Sequence, residues 1–151
     1  MNLKQQLEND AKAALLSGDR FVATVLRDFK AVILNEEVAQ GKRDEGLSDE
    51  VIEKLIAREV KKRQESAALY DQADRSELAD NERAELAVLE KYLPEQASEA
   101  DIKTAIDEAI EQTGADGPAA MGQVIGLVKQ KFGNTADGGL VARLTKEALT
   151  K

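Results

Sequence analysis

Carboxylates, lysine amines, guanidinium groups and hydroxyls are the reactive side chains of this sequence, which contains neither cysteine nor histidine. That absence removes thiolate zinc sites, imidazole metal ligands and the Cys-His and Ser-His nucleophile pairs together. The abundant acids invite a paired-carboxylate reading, for instance Glu36 with Glu37 or Asp44 with Glu45. Adjacent residues on a helix point in different directions, so such pairs do not converge on a substrate as acid/base chemistry requires. The sequence therefore assigns no catalytic residue, no metal ligand and no cofactor.

Binding chemistry is concentrated near the C-terminus. The chain carries a formal net charge of −8, yet residues 121–151 hold Lys129, Lys131, Arg143, Lys146 and Lys151 against only Asp137 and Glu147. Gly122, Gly126, Lys129 and Gly133 recur at helical spacing along one ridge, beside an apolar face of Met121, Val124, Ile125, Val128 and Phe132. An interior glycine costs a helix about 1 kcal/mol relative to alanine, so something must offset it. Close packing against the preceding or following helix would do so. A groove in which a sugar-phosphate backbone touches the helix, with Lys129 alongside, would do so too.

Downstream, Gly138 and Gly139 stand at the start of another helix, where free N–H groups could receive a phosphate. Asp137 is placed to cap those same donors, and capping is the stronger expectation. Arg143 and Lys146 lie three apart on one helix face and could form a positive ridge. A second basic run, Arg58, Lys61, Lys62 and Arg63, is interrupted by Glu59 and reads as an exposed face with local ion pairs. Arg27 and Lys30, near Asp28, read as packing and pairing residues. Aromatic residues make up 3% of the chain and only Phe132 falls in the basic tail, so the stacking platform used on single-stranded RNA is missing.

The elements that must position these groups are helices. Apolar residues recur at helical spacing almost everywhere, and glycine and proline fall between the runs, which predicts an all-α protein. A first helix runs from about Leu3 to Leu16 with Leu3, Leu7, Ala11, Ala14 and Leu15 inward; Ser17-Gly18-Asp19 ends it and caps the next. The second carries Val22, Val25, Leu26, Phe29, Val32 and Ile33. Ser48 caps a long third helix with Ile52, Leu55, Ile56, Val60, Ala67 and Tyr70, expected to fray near Asp74. A fourth, from about Ser76 to Tyr92, presents Leu78, Leu86, Leu89 and Leu93 before Pro94 stops it. Ser98 caps a fifth, Pro118 suits the first turn of a sixth, and a seventh begins at Asp137. The expected division is an N-terminal helical hairpin bundle over 1–95 and a smaller three-helix domain over 96–151.

Two blocks carry a family resemblance. Arg75-Ser76-Glu77-Leu78-Ala79 is followed by Glu82-Arg83-Ala84-Glu85-Leu86-Ala87-Val88-Leu89-Glu90-Lys91-Tyr92-Leu93-Pro94-Glu95-Gln96, and later comes the segment from Met121-Gly122 to Arg143. In this order, over nearly the whole chain, they resemble the GatB/YqeY family and, more narrowly, its stand-alone YqeY-like members. The C-terminal part is similar to the tail domain of the glutamine-dependent tRNA amidotransferase, where the tail helps hold tRNA and the chemistry is done elsewhere. The family commonly carries a label of carbon-nitrogen ligase activity with glutamine as amido donor. The large kinase-like domain and the Ser-Ser-Lys glutaminase machinery are missing here, so the resemblance implies a binding role rather than catalysis by the chain alone.

The expectation is thus a non-catalytic accessory protein that contacts tRNA, or a protein complex of tRNA synthesis, through Gly122, Gly126, Lys129, Lys131, Gly138, Gly139, Arg143 and Lys146. A protein-interaction module that docks through the glycine-faced helix pair without nucleic acid is the alternative. No run nears the roughly 18 apolar residues of a membrane span. The polar, acid-containing Met1–Glu8 stretch reads as neither signal nor transit peptide, and a cytoplasmic location is expected. The sequence specifies no oligomeric state.

Overall fold

Seven α-helices account for most of the chain in the computed structural model, which describes residues 1–150 and contains no strand among them. They are α1 (Leu3–Ser17), α2 (Arg20–Ala39), α3 (Asp49–Gln72), α4 (Ser76–Glu90), α5 (Glu99–Thr113), α6 (Met121–Phe132) and α7 (Gly138–Leu149). The protein is all-α. It divides into two compact units, Met1–Leu93 and the part from Pro94 onward.

Polar side chains start these helices by accepting from N–H groups that have no intrahelical partner. Asp19 accepts from Val22 N at 3.2 Å, Ser48 from Val51 N at 3.3 Å, Ser98 from Asp101 N at 3.1 Å and Asp137 from Leu140 N at 3.1 Å. At α1, Asn2 and Gln5 form a reciprocal capping box. Gly18 closes α1 in the left-handed region (φ 84°), and Asp19 starts α2 at once. The two helices therefore fold back on each other as a tight hairpin.

In the first unit, Leu3 and Leu7 of α1 pack with Val25, Leu26, Phe29 and Ile33 of α2, Ile52, Leu55, Ile56 and Val60 of α3 and Val88 and Leu89 of α4. The stripes on α2 and α3 are those expected. On α4, Leu89 is buried while Leu78 and Leu86 are half-buried, and Ala79 and Val88 take core positions instead. Leu15, expected inward, is 66% exposed, because the hairpin buries the face of Leu3, Leu7 and Ala14 and leaves Leu15 on the flank of α1.

The end of α3 also departs from expectation. Instead of fraying, it is closed by Asp74 in the left-handed region (φ 57°), and Arg75 N donates to Tyr70 O at 2.8 Å across the turn. That six-to-one bond is the Schellman pattern, with aspartate where glycine is usual. α4 stops two residues earlier than expected. Tyr92 N and Leu93 N bond back three residues, to Leu89 O and Glu90 O, which tightens the final turn ahead of Pro94.

An ion pair with a buried carboxylate and a partly exposed ammonium joins α1 to the end of α2. Glu37 is 1% exposed, and its Oε1 accepts from Lys4 Nζ at 2.8 Å. Arg63 similarly bridges α3 and α4, with its guanidinium 2.8 Å from Glu85, 3.5 Å from Glu82 and 4.0 Å from Glu59.

The second unit is a three-helix cluster in which α5, α6 and α7 all touch one another. Its core holds Ile102 and Ile106 of α5, Val124 and Val128 of α6, and Val141 and Leu144 of α7. Thr145 is fully buried, its hydroxyl donating to Val141 O at 2.7 Å. Pro118 opens a short 3₁₀ turn, Pro118–Ala120, that leads into α6 rather than belonging to its first turn. A second such turn, Gly133–Thr135, separates α6 from α7. Ala97 N donates to Thr135 O at 2.7 Å, tying the start of the unit to that turn.

Candidate functional site

Burial of Val124 and Val128 fixes the rotation of α6 and thereby decides where its glycines point. Gly122 and Gly126 are both exposed, and a Cβ built on either would meet nothing within 4 Å. Packing of a neighbouring helix against them, one of the two expectations, is thus overturned: α5 and α7 meet α6 on the valine face. What remains is a strip of bare helical backbone, one turn long, open to solvent.

Lys129 continues this strip one turn further. Its side chain runs toward the start of α7, so that a Cβ added at Gly138 would sit 3.8 Å from both Lys129 Cε and Lys129 Nζ. Gly138 and Gly139 are the first two residues of α7, exposed, with N–H groups that the helix itself cannot satisfy. Asp137 caps Leu140 N, as the sequence suggested, and its carboxylate adds a negative charge at the same helix end. An ammonium group and two free N–H donors therefore meet beside a carboxylate already engaged in capping.

The remaining cations differ in how free they are. Lys131 lies 3.5 Å from Glu108 of α5, with its ammonium 5.7 Å from the centroid of the Phe132 ring. Arg143 bonds Glu147 one turn on at 3.1 Å and lies 3.8 Å from Glu99. Lys146 is exposed in the last turn of α7, and neither it nor Lys129 forms an ion pair among the described residues. The tail that reads as basic in sequence is thus partly neutralised by α5, whose acids lie earlier in the chain.

The α3 run separates in the same way: Arg63 turns to the carboxylates of α4, whereas Arg58, Lys61 and Lys62 stay exposed. Glu37, weighed with Glu36 as a carboxylate pair, is occupied by Lys4. No group of three or more Asp and Glu residues able to hold a metal ion occurs among the described residues, and none of their helices is long and apolar enough to cross a membrane. One feature of the N-terminal unit escaped the sequence: a groove of about 590 Å³ between α1 and α2, with Lys12 and Arg20 on its rims. The helical spacing of its cations is legible in the chain, but only the hairpin turns the two helix edges toward each other.

Comparison with known proteins places these features in context. A family model described as "Yqey-like protein" matches residues 4–149. The chain is also 29% identical over 86 residues to "Altered inheritance of mitochondria protein 41, mitochondrial" of Kluyveromyces lactis, a stretch covering 57% of this chain and 45% of that protein. The chain thus matches rather less than half the length of that relative.

Proposed function

The chain belongs to the YqeY-like family, and from that premise we propose that it is a non-catalytic accessory protein whose C-terminal unit holds structured RNA, tRNA in the first instance, by shape and phosphate contacts. The observation that carries this is the uncovered strip of Gly122 and Gly126 continued by Lys129. A sugar-phosphate backbone can lie on bare helix where a side chain would hold it off, and the Lys129 ammonium with the Gly138 and Gly139 N–H groups supplies donors at the end of the strip. The likeness to the amidotransferase tail points the same way, and a cytoplasmic location belongs to the same proposal. Two unpaired cations, with Lys131 and Arg143 shared with carboxylates, give a modest and strongly salt-dependent affinity.

A second reading, docking of a protein on the same strip, draws on the ion pairs of Arg143 with Glu99 and Glu147 and of Lys131 with Glu108, since a surface of mixed sign suits a protein better than a polyanion. Binding of labelled tRNA across a salt series, beside a Lys129→Glu, Lys146→Glu variant, separates the two. Saturable binding that weakens with salt, with the slope against log salt reduced by about one per lost contact, supports RNA. No binding at low salt removes the RNA reading and leaves the protein-docking one. The inherited ligase label meets a separate test: glutamine turnover by the purified chain would overturn the non-catalytic assignment.

A further inference from the structure

The groove between α1 and α2 combines an apolar floor with cationic rims. Leu7, Leu26 and Ile33 form its base, and Ala11 and Ala23 are too small to fill the space between the helices, which leaves a trough of about 590 Å³. All five basic residues that precede Lys42, namely Lys4, Lys12, Arg20, Arg27 and Lys30, line this trough. Of the six acids in the same span only Glu8 does. In a chain of net charge −8, that segregation is a local reversal of sign. Lys4 is committed to Glu37 and Lys30 lies 3.4 Å from Glu8, but Lys12 and Arg20 form no ion pair among the described residues.

We propose that this groove is the docking site for an amphipathic helix of a partner protein, one with an apolar stripe flanked on both sides by Glu or Asp. The shape selects a helix: from Lys4 to Leu15 the trough follows α1 for roughly 17 Å, about three turns. The charge pattern selects an acidic one. Both rims carry cations, Lys4 and Lys12 on α1 and Arg20, Arg27 and Lys30 on α2, so both flanks of such a helix can be met; Arg27 lies 3.7 Å from Asp28, and the unpaired Lys12 and Arg20 stand one on each rim toward the hairpin end. Leu15, which lines the trough and is 66% exposed, extends the apolar surface on which such a helix would rest.

The test uses the full chain and two synthetic helical peptides, identical in their leucine stripe and flanked by Glu in one and by Lys in the other. The Glu peptide is expected to bind saturably and the Lys peptide not to bind; Lys12→Glu with Arg20→Glu, both at exposed positions, is expected to weaken the Glu peptide by about tenfold or more and to create binding of the Lys peptide. Ala23→Trp, which fills the trough, is expected to block the Glu peptide while circular dichroism confirms the fold. Equal binding of both peptides to the wild type, binding indifferent to the charge reversal, or no binding overturns the proposal. So does displacement of the Glu peptide by monomeric dodecanoate with no peptide dependence on the rim charges, or self-association of the chain abolished by Ala23→Trp; these would assign the groove to an anionic amphiphile or to a second copy.

Discussion

The Tyr92 hydroxyl donates to Asp10 Oδ2 at 2.6 Å, joining the segment after α4 to α1 across a sequence separation of 82 residues. The phenol is half-buried, and burial, followed by the hydrogen bond to the Asp10 carboxylate, raises its pKa well above the ordinary value of 10.0. A raised phenol pKa favours the folded state below pH 10, and the contribution is lost as the pH climbs through the folded-state pKa.

Tyr92→Phe keeps the ring and removes the bond. It is expected to lower stability at pH 7 by about 1.5–3 kcal/mol, the range for a hydrogen bond to a charged group. Urea denaturation at pH 7 and pH 11 checks the sign: the wild type should lose stability between the two as Tyr92 ionises in the unfolded chain, so its advantage over the variant narrows. An unchanged gap at both pH values would contradict the assignment.

The Lys4–Glu37 pair predicts an asymmetry. Lys4→Met leaves a carboxylate at a 1% exposed position without its cation and is expected to cost about 1–3 kcal/mol. Combining it with Glu37→Gln, which removes the charge, should recover part of that loss. Denaturation midpoints of the two single variants and the double variant form the cycle, and strict additivity would argue against coupling.

Gly122 and Gly126 separate stability from binding. Alanine at Gly126 meets nothing within 4 Å and gains helix propensity, so Gly126→Ala is expected to stabilise by about 1 kcal/mol; Gly122, nearer the helix start, should gain less. If a partner backbone lies on this strip, the same methyl groups weaken its binding. A variant that is both more stable and equally competent to bind tRNA or protein would remove the strip from the binding surface.

Asp74 supplies a conformational test. An L-residue in the left-handed region costs about 1–2 kcal/mol, and glycine returns about 0.5–1 kcal/mol of that as extra chain entropy, so Asp74→Gly should stabilise by roughly 0.5–1 kcal/mol. A lowered melting temperature would indicate that the Asp74 side chain contributes to the turn.

By itself the sequence determined the helical class, the caps at Asp19, Ser48, Ser98 and Asp137, and the core stripes of α2 and α3, because these follow from a period of 3.6 and from which side chains can satisfy free N–H groups within three residues. Such properties are local. Tertiary structure alone decided the rest: that Gly122 and Gly126 face solvent, since the rotation of α6 follows from which valines meet α5 and α7. It also decided that Lys131 and Arg143 are shared with Glu108 and Glu99, acids more than twenty residues earlier in the chain. The cationic groove arises the same way, from two helix edges that become one site only when the Gly18-Asp19 turn brings them together. Charge and apolar surface act through space, and the distances that set their strength exist only once the helices have packed.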